Sequence, residues 1–195
     1  MSALRATTPI TAIVYGDGAR IAPVIDAIID ELTAGECRLA GLVQRDRVRA
    51  GRSRCDMLME DLTTGETMAI SQDRGEGARG CRLDVEALLN ASERVLKALA
   101  TSPDLLIVNK FGKTECEGGG CRSLIVEAVE LGIPVLVAVP YANLDAWRGF
   151  TGDIAAEYLL DGLPASVPDL CRHLGLTVLR PASAPHTAPR FAAPG

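Results

Sequence analysis

Histidine is close to absent from this chain of 195 residues, which holds two, and one of them, His186, falls in a closing stretch of proline and alanine. A catalytic triad built on imidazole is therefore not expected. Nor is there an apolar run of the roughly 18 residues that a membrane-crossing helix needs, and the opening MSALRATTPI has no apolar centre of the kind a secretory signal carries. A cytoplasmic protein without membrane contact is the expectation. Positive charge is also short: the formal net charge is -5. Apart from RDRVRAGRSR at residues 45 to 54, no stretch gathers the Lys and Arg that neutralise a phosphate backbone, so nucleic acid is not an expected partner. Six cysteines are present, at positions 37, 55, 81, 116, 121 and 171, but no C-x-x-C pair, which removes the ordinary zinc and ferredoxin spacings. In a reducing compartment such residues are free thiols, metal ligands or redox groups rather than a disulfide framework.

A hydrophobic content of 48% beside 23% charged residues marks a globular chain, and the length suits one domain. Residues 1–179 are read as a single α/β domain and 180–195 as a disordered tail rich in Pro and Ala. TAIVY at 11 to 15 reads as a strand, GDG as a turn, and Val24, Ile25, Ile28, Ile29 and Leu32 as the stripe of a helix with Pro23 in its first turn. LAGLVQ at 39 to 44 is a second strand, residues 45 to 56 a basic loop, and MLMEDL with ETMAIS a β-hairpin closed by TTG. QDRGEGARG is expected as an exposed loop. Asp84 caps a helix to about Ala100 whose apolar face is Leu88, Leu89, Val95, Leu96 and Leu99. DLLIV at 104 to 108 and IPVLVAV at 133 to 139 are apolar without alternation, as parallel strands covered on both faces are, and they enclose a loop from Asn109 to Gly120 and a helix from about Arg122 to Leu131. A short helix near Leu144 to Phe150 and a segment within 154 to 179 complete a three-layer, mainly parallel sheet with a hairpin insertion.

Open α/β sheets bind ligands beyond the carboxyl ends of their strands, which selects YGDGAR after the first strand and NKFGKTECEGGGC after the later one. Each leads into a helix whose first amides and dipole favour an anion. If their strands are neighbours, the loops face each other. The candidate ligand-binding residues are Gly16, Asp17, Gly18, Arg20, Asn109, Lys110, Lys113, Gly118, Gly119 and Gly120, with Glu115 and Glu117 as candidates for base or water-orienting group. Against the pattern G-x-x-x-x-G-K-[ST], counted from Gly16, this chain puts Ile21, Ala22 and Pro23 in place of glycine, lysine and hydroxyl, so no point charge reaches terminal phosphates and a magnesium ligand is lost. Arg20 offers a charge one residue before Ile21. Cys55, Cys81, Cys116 and Cys121 form a candidate thiolate set for a soft metal or cluster. Cys121, at a helix start, is expected to have a lowered pKa, whereas Cys37, Cys171 and His173 are read as structural and Trp147 with Phe150 as core anchors.

With RCDMLMEDLTTGETMAISQDRGEGARGCRLD at 54 to 84 and NKFGKTECEGGGCR at 109 to 122 on view, the chain resembles a bacterial family of unknown function encoded beside molybdate-transport and molybdenum-enzyme genes. More distantly it is similar to P-loop nucleoside triphosphatases of the thermophilic type. The resemblance implies a P-loop-like fold and a tie to molybdenum metabolism. The leading expectation is a nucleotide- or oxyanion-binding accessory protein with a degenerate phosphate loop. A second is a cysteine-ligated metal or cluster protein, and a third is a nucleoside triphosphatase lacking the Walker A lysine. The cofactors implied are molybdenum, as molybdate or bound to thiolate, or a nucleotide with Mg. The partners implied are a small anionic ligand, molybdenum-pathway proteins and a second copy of the chain.

Overall fold

The apolar strands lie side by side with both faces covered, and alternate residues of each feed two separate cores. A computed structural model describes residues 3–48, 55–72 and 82–179; QDRGEGARG beyond Gln72, the Cys81 position and the tail lie outside them. In chain order the elements are β1 Ala3–Ala6, β2 Ile10–Tyr15, α1 Gly18–Ala34, β3 Leu39–Val48, β4 Cys55–Asp61, β5 Thr67–Ala69, β6 Ser71–Gln72 and β7 Arg82–Leu83. Then follow α2 Val85–Leu99, β8 Leu105–Val108, α3 Lys113–Cys116, α4 Arg122–Glu130, β9 Val135–Pro140, α5 Leu144–Thr151, β10 Ala155–Leu159, α6 Val167–His173 and β11 Leu176–Leu179.

Seven strands form the main sheet in the order β10-β2-β9-β8-β3-β4-β5. The run from β10 to β3 is parallel, and β4 and β5 return antiparallel at one edge. This is the three-layer α/β arrangement with a hairpin that the strand patterns imply. Val14, Leu42, Leu106, Val108, Val137 and Val139 point into a core beneath α2, α4 and α5, where Trp147 and Phe111 are fully buried. Ile13, Tyr15, Val43, Ile107 and Ala138 point to the other side, against Ile25, Ile28 and Leu32 of α1 and Leu170 of α6. Burial on both faces is why these strands read as unbroken apolar runs.

Several boundaries differ from the sequence reading. The basic run is not a loop at its start: β3 continues to Val48 and pairs with β4 from Leu42↔Asp61 to Val48↔Cys55. Arg45 is held there by ion pairs to Asp26 of α1 and Glu60 of β4, so opposite charge on two neighbouring elements lets an arginine-rich stretch stay extended. Pro23 lies inside α1 rather than in its first turn, because Asp17 already starts the helix by accepting the Ala19 N–H at 2.9 Å. On α2, capped by Asp84 as expected, Leu89 and Leu96 are exposed, and Ala91 and Ser92 take the buried face with Leu88, Val95 and Leu99. The segment near the C-terminus divides, with β10 joining the main sheet and β11 pairing with β1 in a separate ribbon. Gly41 in β3 has φ of 139°, and a Cβ there would stand 2.0 Å from the Ile107 carbonyl oxygen, so the close approach of β3 to its parallel neighbour β8 demands glycine at this position. No helix among the described residues is long and apolar enough to cross a membrane.

Candidate functional site

Because β2, β9 and β8 are parallel, the loops after β2 and β8 open on the same rim of the sheet. They are not on neighbouring strands, as a face-to-face arrangement requires. β9 lies between them, which sets their strand ends roughly 10 Å apart. The chain leaves β2 toward the α1 layer, whereas it leaves β9 toward the α5 layer on the opposite face. Neighbouring strands that send their connections to opposite sides open a crevice between their carboxyl ends. Here the switch point falls between β2, followed by Gly16, Asp17 and Gly18, and β9, which ends at Pro140 and is followed by Tyr141 and Asn143.

Several amides of the two glycine loops are already engaged within the chain. At α1 the Asp17 carboxylate takes the Ala19 N–H and the Asp17 carbonyl takes the Arg20 N–H at 3.2 Å. A carboxylate already sits where a phosphate would. Arg20 reaches across to Asp161, in the turn after β10, with 2.5 Å between nitrogen and oxygen, and both side chains are exposed. In the second loop the Gly118 N–H donates to the Glu115 carbonyl, the Gly119 N–H to Thr114 and the Arg122 N–H to Gly119. The triple glycine is closed by hydrogen bonds within its own loop, with Gly118 and Gly119 exposed and Gly120 buried.

Glu115 explains that folding. It is 4% exposed, and its carboxylate accepts the Gly112 N–H at 2.8 Å and the Cys121 N–H at 2.9 Å. Gly120 has φ of 61°, and a Cβ on it would lie 2.0 Å from Glu115 Oε1. Asn143 Nδ2 donates to the Phe111 carbonyl at 2.8 Å and so ties this loop to the end of β9. Phe111 stacks on Phe150 with ring centroids 5.8 Å apart and meets Trp147 edge-on at 5.1 Å, while the Arg122 guanidinium covers the Phe150 ring at 4.2 Å. The sequence reading had no signal for Asn143 or Phe111, since both act through backbone carbonyls or packing. Lys110, Lys113 and Glu117 stay at the surface, the last two as an i,i+4 pair at 3.7 Å, and Asn109 is half-buried at the end of β8.

The thiols divide. Cys121 is not the low-pKa group that its helix position suggests. Burial, with the Glu115 carboxylate beside it, pushes its thiol up to about 12; a thiolate there would lose hydration and face a like charge. Cys116 is half-buried and packs against the same core. Cys37 and Cys171 are buried, and burial raises both, Cys171 to about 11. The Cys55 side chain and Cys81 lie outside the described residues, and among the described residues no group of three or more His, Cys, Asp or Glu side chains is placed to hold a metal ion. His173, at the end of α6, packs its ring against Tyr158 at 5.3 Å. Two cavities, of about 250 and 200 Å³, lie away from this rim, one beside Gly35 and Cys171 and the other beside Pro9 and Pro134.

Comparison with known proteins bears on this geometry at three points. A family model described as Protein of unknown function (DUF2478) matches residues 10–162. The molybdenum import ATP-binding protein ModC 2 of Bradyrhizobium diazoefficiens is 41% identical over 132 residues, which make up 68% of this chain and 15% of that protein. The chain thus spans about 15% of the length of that relative. The crystal structure of THEP1 from Aquifex aeolicus superposes with a TM-score of 0.58 at 13% identity, covering 85% of this chain and 98% of the other. The fold is P-loop-NTPase-like.

Proposed function

The chain belongs to the DUF2478 family, and on that premise we propose that it is a nucleotide- or oxyanion-binding accessory protein of molybdenum metabolism whose phosphate loop is degenerate. The observation that supports the proposal is the common rim: the loops after β2 and β8 and the turn after β9 all lie at the carboxyl ends of parallel strands, where the connections of β2 and β9 part to opposite faces. The likeness to a protein named for molybdenum import and ATP binding supports the choice of ligands. With the Ala19 and Arg20 amides of the first loop and the Gly112, Gly118, Gly119 and Cys121 amides of the second engaged internally, the anion is held chiefly by the side chains of Lys110 and Lys113, with Asn109 and Arg20 at the margins. Arg20 is free to contribute only when it leaves Asp161.

Nucleotide hydrolysis is not part of the proposal. Ala22 and Pro23 occupy the lysine and hydroxyl positions, and both lie within α1, where neither charge nor magnesium ligand is available to a terminal phosphate. Glu115 is engaged by two backbone amides, which leaves Glu117 as the remaining acid able to orient water. Calorimetric titration and thermal shift with ATP, GTP and molybdate test the reading. Binding of at least one of them, weakened by Lys110→Ala combined with Lys113→Ala, is expected. Absence of heat and of thermal shift with all three would overturn it.

A further inference from the structure

We propose that Glu115 is the positioning residue of the candidate site: its buried carboxylate is a built-in anion around which the segment from Gly112 to Cys121 is wound, and it fixes where Lys110 and Lys113 stand. The inference rests on the anion-binding reading above. One side chain joins the two ends of the segment, since its oxygens take the N–H of Gly112 at 2.8 Å and the N–H of Cys121 at 2.9 Å. Donors of this kind, one of them at the start of α4, are what an external anion would otherwise use. The glycines at both ends answer to the same group: a Cβ on Gly112 would stand 3.2 Å from Oε2, and one on Gly120 would stand 2.0 Å from Oε1. A buried carboxylate needs such donors to offset its lost hydration, so carboxylate and loop form together. Lys110 and Lys113 stand exposed on the outer side, and their placement toward an external ligand follows from the winding of the loop behind them.

The test uses the full chain with Glu115→Gln and Glu115→Ala. Glutamine keeps the shape but turns an NH2 toward one of the two N–H donors, so the affinity for whichever of molybdate or ATP the wild type binds should fall at least tenfold in a protein whose circular dichroism is unchanged. Amide hydrogen exchange across residues 112–121 should quicken. In the alanine variant, formate or acetate should enter the vacated space and restore slow exchange and ligand affinity, while leaving the wild type unaffected. A residue that merely adds stability would give formate-dependent exchange protection in the alanine variant but leave ligand affinity unchanged in the folded glutamine variant. Unchanged affinity in Glu115→Gln, or no restoration by formate, overturns the inference, and glutamine alone decides it if the alanine variant fails to fold. If the wild type binds neither ligand, the anion-binding reading falls, and exchange protection with formate rescue still decides whether the carboxylate templates the loop.

Discussion

Gly120 and Gly65 both have positive φ, 61° and 71°, but their surroundings differ. At Gly65 a Cβ meets nothing within 4 Å, so alanine there bears only the left-handed backbone, about 1 kcal/mol. At Gly120 the same substitution also drives a methyl group into Glu115, and repacking around a buried carboxylate should bring the loss to about 3 kcal/mol or more. Chemical denaturation of Gly120→Ala and Gly65→Ala should separate the two, and equal losses would show that the carboxylate moves aside freely. Cys121 gives the pH prediction. Its thiol is raised from 9.0 to about 12 in the folded protein. Above pH 9 the unfolded chain therefore releases a proton that the folded chain keeps. Stability is fully present below the unfolded value and falls as pH rises through this window, by up to about 1.4 kcal/mol per unit. Cys171, raised to about 11, steepens the decline over its lower part. Urea midpoints measured from pH 8 to 11 should fall in the wild type and fall less in Cys121→Ala, after allowing for that variant's lower starting stability.

At the scale of elements, α1 shows a helix start that already carries an anion of its own chain. Asp17 supplies both the capping acceptor and a negative charge that favours the positive end of the dipole. Asp17→Asn keeps the acceptor and removes the charge, so stability should change by no more than about 0.5 kcal/mol, whereas Asp17→Ala should lose about 1 kcal/mol. If the anion of the proposed site lies within reach of α1, Asp17→Asn should also bind molybdate severalfold more tightly in calorimetry. Equal affinity would confine the anion to the lysines after β8. The strands TAIVY, DLLIV and IPVLVAV were legible because burial on two faces leaves no alternation to misread, and the Asp84 cap because its acceptor lies three residues from its donor. Leu89 and Leu96 were misplaced because a leucine one position off the stripe scores the same as one on it, while the small Ala91 and Ser92 that fill the contact do not stand out. Strand order was not legible, since nothing in β2 says that β9 rather than β8 lies beside it. Nor was the engagement of the glycine amides, because it depends on the path that Glu115 imposes on the backbone. The β1–β11 ribbon escaped notice because two four-residue strands at opposite ends of the chain carry too few residues for a pattern.

The whole molecule is two cores separated by one sheet. Trp147, the single tryptophan, belongs to the core under α2, α4 and α5, and Cys171 to the core under α1 and α6. β2, β9, β8 and β3 each contribute alternate residues to both, so loss of either helical layer would expose one apolar face of these strands. Exposing several Val, Ile and Leu side chains at about 2 kcal/mol each exceeds the whole stability of an ordinary domain. The layers should therefore unfold together. Two probes can follow them separately: tryptophan fluorescence for the first core, and alkylation of Cys171 for the second in a variant where every other cysteine is alanine. Their urea midpoints should coincide within error, with equal slopes. If Cys171 became reactive at clearly lower urea than the tryptophan shift, the layer of α1 and α6 would be a separate unit. The crevice beside Asp17 would then be bordered by an element able to open while β9 and the Glu115 loop stay folded.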